Sequence, residues 1–249
     1  DLVLASTAPA ADWREHVRIG GYPTPALELS TPAQRSIWFQ GYIDTYLDRD
    51  VRDIADISST LDLRRLMRIA SHRVGQLVNR SAWALEAGVA ATTAHRYLDL
   101  LEQSYQLIRI EAFSANRTKR LIKSPKAYWS DPGLAYHLAE SPPFSGFHFE
   151  NLVLCDLIAW RDSLPTRAAI MHWRTTNQDE VDFVIELSNG SLLPVECKSG
   201  ERPTHADTKG LRLFLDDYRA APGGLVLHGG AETFWIADRI LAAPWWRVL

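Results

Sequence analysis

Glu180-Val181-Asp182-Phe183-Val184-Ile185-Glu186-Leu187-Ser188-Asn189-Gly190-Ser191-Leu192-Leu193-Pro194-Val195-Glu196-Cys197-Lys198 reads as two strands joined by a turn. Ser188-Asn189-Gly190 is the turn signal, and Gly190 suits the left-handed backbone that such loops require. With these three residues as the loop, Val181 faces Cys197, Phe183 faces Val195 and Ile185 faces Leu193, so the apolar pairs share one side. The other side then carries Asp182 opposite Glu196 and Glu180 opposite Lys198. A two-residue loop would put Asp182 opposite Cys197 and scramble both faces. Because a one-residue slip flips every side chain, the apolar pattern selects the three-residue loop. Glu opposite Lys is an ordinary cross-strand pair on a solvated face, but two acids facing each other are destabilising unless something bridges them.

That face has the makings of a hydrolytic site. Phosphodiester cleavage needs a polarised phosphate, an activated water and a stabilised leaving group, and a hard cation such as Mg²⁺ can serve all three. Mg²⁺ takes a few carboxylate oxygens plus waters and substrate phosphate. A lysine beside it stabilises phosphate charge or positions the water.

Outward from the hairpin, residues 145–249 alternate helix and strand. A helix is predicted over Phe149–Trp160. Strands are predicted over Ile170–Arg174, Gly224–His228 and Thr233–Ile236, with a helix over His205–Tyr218. Such alternation implies a mixed sheet covered by helices. Residues 61–135 read as three helices and a two-stranded wing. Leu61, Leu63, Leu66 and Met67 mark the first helix, Ser81–Ala87 the second, ended by Gly88, and Ala91–Gln103 the third. Leu107–Phe113 and Ala127–Trp129 are the wing strands, with Asn116-Arg117-Thr118-Lys119-Arg120 at the tip. In such a module the third helix enters the major groove and the wing touches phosphates. The candidate nucleic-acid contacts are therefore Thr92, Thr93, His95 and Arg96 on the helix, and Arg117, Lys119, Arg120 and Lys123 on the wing. Residues 1–60 form a helical segment broken at Gly20-Gly21-Tyr22-Pro23-Thr24-Pro25. Beyond the break, Ser30-Thr31-Pro32 caps a helix carrying Ile37, Trp38, Tyr42, Ile43, Tyr46 and Leu47.

Charge is distributed unevenly. The net value is −3, yet Leu61–Lys126 holds 12 Lys and Arg against 5 Asp and Glu, so one segment is basic and the rest acidic. No apolar run has the roughly 18 residues of a membrane span. The start, Asp1-Leu2-Val3-Leu4-Ala5, has neither an initiator Met nor the pattern of a signal peptide, and reads as the start of a fragment. Cys155 and Cys197 lack metal-ligand spacing and suit a reducing, cytoplasmic setting. The 8 histidines show no H-x-x-x-H or H-x-H grouping, which argues against a zinc hydrolase. Trp245-Trp246 reads as a core or interface anchor.

Asp182 followed by Glu196-Cys197-Lys198 matches the D…(D/E)xK signature of the PD-(D/E)XK nuclease superfamily. Phe149-Glu150-Asn151 matches the acidic helical position found in many members. The chain from about Gly20 resembles the C-terminal part of a bacterial and archaeal family of AAA-superfamily ATPases. Those proteins carry a P-loop ATPase, a winged helix and a nuclease-like domain. The resemblance rests on Gly20-Gly21-Tyr22-Pro23, Tyr46-Leu47-Asp48-Arg49-Asp50-Val51, Lys123-Ser124-Pro125-Lys126, Trp129-Ser130-Asp131-Pro132-Gly133-Leu134-Ala135 and Val195-Glu196-Cys197-Lys198-Ser199-Gly200, besides the motifs above. It implies an α/β (α+β) fold: a helical segment, a winged helix-turn-helix, then a restriction-endonuclease-like mixed sheet flanked by helices. It also implies Asp182, Glu196 and Glu150 as ligands of Mg²⁺ or Mn²⁺, Lys198 acting on phosphate or water, and DNA as partner. No G-x-x-x-x-G-K-[ST] occurs, so this chain has no ATP site; an ATPase domain either lies outside it or is absent from the protein. The rival expectation is a non-catalytic nucleic-acid- or protein-binding module with a regulatory or oligomerising role; self-association is left open.

Overall fold

Side-chain caps open several of the helices in the first half of the chain. The computed structural model describes residues 11–46, 59–116 and 124–248. After α1 (Trp13–Ile19) and a π-helical turn (Thr24–Glu28), Thr31 opens α2 (Pro32–Thr45) with a reciprocal capping box to Gln34. Ser59 accepts from the Asp62 N–H to start α3 (Thr60–His72), and Asn79 accepts from the Ala82 N–H to start α4 (Arg80–Ala87). α5 (Ala91–Gln103) follows, then a two-stranded sheet of β1 (Leu107–Ile110) and β2 (Lys126–Trp129), and α6 (Pro132–Leu138).

The chain divides into two compact units. One is Arg14–Arg109 with Lys126–Phe144; the other is Asp1–Trp13, Ile110–Pro125 and Ser145–Leu249. Residues 145–249 fall whole within one unit, while the stretch 61–135 contributes Ile110–Pro125 to that same unit and the rest to the other. The strand expected over Leu107–Phe113 stops at Ile110. Ala112 instead bridges in parallel to His172, and Phe113 is buried against Phe214 and Tyr218. Of the expected wing tip Asn116-Arg117-Thr118-Lys119-Arg120, all but Asn116 lie outside the described residues, as do the wing residue Lys123 and Leu47.

In the first unit, Leu63, Leu66 and Met67 of α3, Trp83 of α4, and Ala94, Tyr97, Leu98 and Leu101 of α5 are buried. α2 buries Phe39, Ile43 and Tyr46 at its inner face and end. Ile37, expected with them, is 74% exposed. It sits two positions from Phe39, which at 3.6 residues per turn is the opposite side. Leu61 also faces outward. Two of the sequence motifs meet at Asp131. Its Oδ1 accepts the Leu134 N–H at 2.7 Å, capping α6, and its Oδ2 accepts the Gly21 N–H at 2.6 Å. Gly20 has φ +73°, and a Cβ there would lie 2.6 Å from Asp131 Oδ1, so any other residue would be strained and would press on the carboxylate that caps α6.

The second unit is a six-stranded mixed sheet in the order β3-β4-β5-β6-β8-β7. The strands are β3 (Ala169–Arg174), β4 (Glu180–Glu186), β5 (Leu192–Lys198), β6 (Gly224–His228), β7 (Phe234–Ala237) and β8 (Ile240–Pro244). β5–β6 and β6–β8 are parallel; the other neighbours are antiparallel. β8 carries little sequence signal, since Ile240-Leu241-Ala242-Ala243-Pro244 has no alternation and ends in a residue that usually breaks strands. The helix expected over His205–Tyr218 is a 3₁₀ turn (His205–Thr208) continuing as α8 (Lys209–Asp217). α8 packs Leu211, Phe214 and Leu215 into a core with Met171, Trp173, Val181, Val184, Val226 and Ala242. α7 (Gly146–Ser163) packs along β5. Phe183, Val184 and Ile185 are buried in succession, which requires cover on both faces of β4.

One irregularity decides how β4 presents its side chains. Met171 pairs with Val184, but Trp173 pairs with Val181, so His172 alone stands opposite both Asp182 and Phe183. This bulge restarts the alternation. Val181 therefore joins Val184 against α8 instead of sharing the side of Phe183 and Ile185.

Candidate active site

The hairpin loop is Ser188-Asn189-Gly190. Leu187 N–H donates to the Ser191 carbonyl at 2.9 Å, the Asn189 side chain accepts from Ser191 N–H at 2.9 Å, and Gly190 has φ +82°. The register is the expected one, with Phe183 opposite Val195 and Ile185 opposite Leu193.

Beyond Phe183 the expected cross-strand pairs do not form. The β4–β5 pairing ends at Phe183↔Val195, where the bulge begins. Asp182 Oδ2 instead accepts the Cys197 N–H at 2.8 Å, so a side chain takes a place the backbone ladder would have filled. From Glu196 to Lys198, β5 runs beside β6, with Lys198 paired to His228. Glu180 forms its ion pair with Arg174 at 3.7 Å, not with Lys198. Lys198 Nζ donates to Glu196 Oε1 at 2.8 Å, two residues along the same strand and hence on the same face.

Glu196 is the centre of the arrangement. Burial, reinforced by the charge of Asp182, pushes its carboxyl up to about 8; Lys198 opposes this and Glu150 adds to it. Glu150, 5% exposed on α7, therefore acts on the same site as the hairpin acids. The second Glu196 oxygen, Oε2, is buried with no hydrogen-bond partner among the described residues. Burial pulls the Lys198 ammonium down, but the charge and hydrogen bond of Glu196, with Asp182 and Asp207, hold it above its usual value. Asp207, which caps the 3₁₀ turn through Thr204, was not among the expected site residues, yet its charge acts on Lys198. Among the described residues no group of three or more His, Cys, Asp or Glu side chains is arranged to hold a metal ion.

The nucleic-acid candidates divide. On α5, Thr92, His95 and Arg96 are exposed and Thr93 is half-buried, with the Arg96 guanidinium 5.2 Å from the Tyr97 ring. Arg117, Lys119, Arg120 and Lys123 lie outside the described residues. Most other arginines of the basic segment already face acids: Arg64 with Asp44, Arg65 with Asp62, Arg68 with Glu140, Arg73 with Glu86, Arg80 with Asp99 and Arg109 with Glu102. Among the described residues no helix is long and apolar enough to cross a membrane. Trp245 is 2% exposed and meets Phe149 edge-on, as a core anchor does.

The class defined so far is a helical module followed by an α/β domain with a buried acid–lysine cluster. The chain belongs to the family described as Domain of unknown function (DUF8612), which matches residues 10–145. Residues 145–248 match a second description, Domain of unknown function (DUF4143). The chain is 31% identical over 233 residues to uncharacterised proteins of Mycobacterium tuberculosis and Mycobacterium bovis, a match covering 90% of this chain and 51% of each relative. An uncharacterised protein of Haemophilus influenzae is 25% identical over 213 residues, covering 83% of this chain and 51% of that protein. The chain thus spans about half the length of the curated relatives it matches. No solved structure matches it.

Proposed function

We propose that residues 145–248 are a metal-dependent DNA phosphodiesterase domain of the PD-(D/E)XK kind. The helices before them act as a winged-helix DNA-binding module, in a protein whose remaining half carries an AAA-type ATPase. The observation that carries this reading is the buried Oε2 of Glu196, which lacks a partner while two more acids act on the same carboxylate. Buried acids crowded in this way are what a cation relieves. Asp182, Glu196 and Glu150 are the residues that would hold Mg²⁺ or Mn²⁺. When bound, such an ion supplies Lewis-acid polarisation of the phosphate and acidification of water. The Cys197 N–H fixes the rotation of the Asp182 carboxylate. Lys198, held protonated by the acids around it, serves as a donor to a phosphate oxygen rather than as a base. Thiols at Cys155 and Cys197 suit a cytoplasmic setting.

A second reading, a non-catalytic regulatory or binding module, is favoured by one observation: no set of three metal-binding side chains converges among the described residues. Plasmid cleavage under Mn²⁺ titration separates the two. Cleavage by the wild type that is lost in Asp182→Ala and Lys198→Ala supports the enzyme. Equal behaviour of all three proteins removes it.

A further inference from the structure

The acid cluster is carried by residues 145–248, but one side chain that grips the elements around it comes from the far end of the sequence. Trp13 belongs to the second unit and is 2% exposed. Its indole N–H donates to the Ser199 carbonyl at 3.1 Å, on the residue that follows Lys198. Its ring meets Phe149 edge-on with centroids 5.4 Å apart, and Phe149, fully buried, precedes Glu150. The third contact is at Gly229. A Cβ there would stand 2.9 Å from Trp13 Cδ1 and 2.7 Å from the Ser199 carbonyl oxygen, so only glycine admits the ring. The Gly229 N–H in turn donates to the Lys198 and Gly200 carbonyls, at 3.2 and 3.1 Å.

One neutral side chain thus touches the residue beside Glu150, the residue beside Lys198 and the end of β6 where His228 pairs with Lys198. Glu150 and Glu196 are acids on different elements, α7 and β5, so their placement relative to each other depends on what ties those elements together. A buried tryptophan with its N–H satisfied is a rigid, well-directed tie. We infer that Trp13 is a positioning residue of the acidic site, fixing the end of β5 relative to the start of α7. The inference rests on the metal-site reading above for its functional consequence. It also makes the site depend on a residue within the stretch that matches DUF8612.

The test uses the whole chain with Trp13→Phe, which keeps a ring but loses the N–H, and Trp13→Ala, which loses both. Three quantities are measured: the urea midpoint, hydrogen exchange at the Gly229 amide, and the affinity for Mn²⁺. For Trp13→Phe the expected result is a midpoint near the wild-type value, with Gly229 exchange faster and Mn²⁺ binding weaker by about tenfold each, as for other residues that orient metal ligands. Trp13→Ala should show both changes and a lower midpoint. Wild-type exchange at Gly229 in Trp13→Phe would overturn the inference and leave Trp13 as packing alone, as would wild-type Mn²⁺ affinity. If the wild type itself binds no Mn²⁺, the metal-site reading falls, while exchange at Gly229 still decides whether Trp13 holds the strand end.

Discussion

Each unit buries a carboxylate, and the two are treated in opposite ways. Asp131 in the first unit is 4% exposed, and burial pushes its carboxyl up, but backbone N–H groups of Leu134, Gly21, Gly133 and Tyr22 pull against it. Glu196 in the second unit receives one ammonium on one oxygen and nothing on the other among the described residues, with two acids near. A buried acid surrounded by fixed donors holds the chain together. One left short of donors beside other acids is costly to the fold, and such positions cluster where chemistry is done. The difference teaches where to look for function: the unbalanced site, not the larger count of charges.

The sharpest break of that contrast is catalytic. Asp182→Ala should lower Mn²⁺-dependent plasmid cleavage by about three orders of magnitude, the several kcal/mol expected of a lost metal ligand, and Lys198→Ala by about 10²–10³-fold. Asp131→Ala should leave the cleavage rate of folded protein unchanged. It should instead destabilise the protein by about 3 kcal/mol in urea titration, because a helix cap is lost and buried N–H groups are left unpaired. A variant of Asp131 that folds normally but cannot cleave would undo the distinction.

Glu196→Gln sharpens the contrast through pH. The folded carboxyl holds its proton to about 8, against 4.5 for the ordinary side chain. Between those values the folded state binds more protons than the unfolded state, so Glu196 makes stability fall as pH rises through that window. The glutamine variant should lose this fall, so its melting temperature should gain on the wild type from pH 5 to pH 9. Saturating Mn²⁺ should reverse the order at pH 9 by stabilising only the ionised wild type. Identical pH profiles of the two proteins would show that the carboxyl is not held in its neutral form.

Much of the hairpin was legible because its signals are local. Gly190 dictates the turn and the period-2 pattern dictates the register, so Phe183↔Val195 follows from sequence. The bulge was not legible. It arises where β3 offers one residue, His172, to two on β4, and nothing in Val181-Asp182-Phe183 announces it. Its consequence is that Asp182 bonds the Cys197 N–H instead of standing opposite Glu196. Trp13 was illegible for a plainer reason: its partner Ser199 is 186 residues away. Among the helices, Thr31 marked its start through a short-range cap, whereas Ser59 and Asn79 cap theirs without having been singled out, and Ile37 was misread because period alone does not say which of two apolar sides faces inward.

The smallest expected effect returns to charge counting. Leu61–Lys126 is basic by composition, yet Arg73 meets Glu86 at 2.5 Å, and the arginines at 64, 65, 68, 80 and 109 have acids of their own. An ion pair attracts phosphate far less than an isolated charge. Arg96 is exposed on α5, with its guanidinium over the Tyr97 ring, on the proposed groove-facing surface. If the first unit binds duplex DNA, Arg96→Ala should reduce the slope of log affinity against log salt by about 1. Arg73→Ala should leave the slope unchanged and alter stability by less than about 1 kcal/mol, as exposed pairs do. Fluorescence anisotropy across a salt series reads both. Equal loss of slope in the two variants would mean that DNA draws Arg73 away from Glu86. The balanced charges would then belong to the binding surface, and composition would have been the better guide to this unit than geometry.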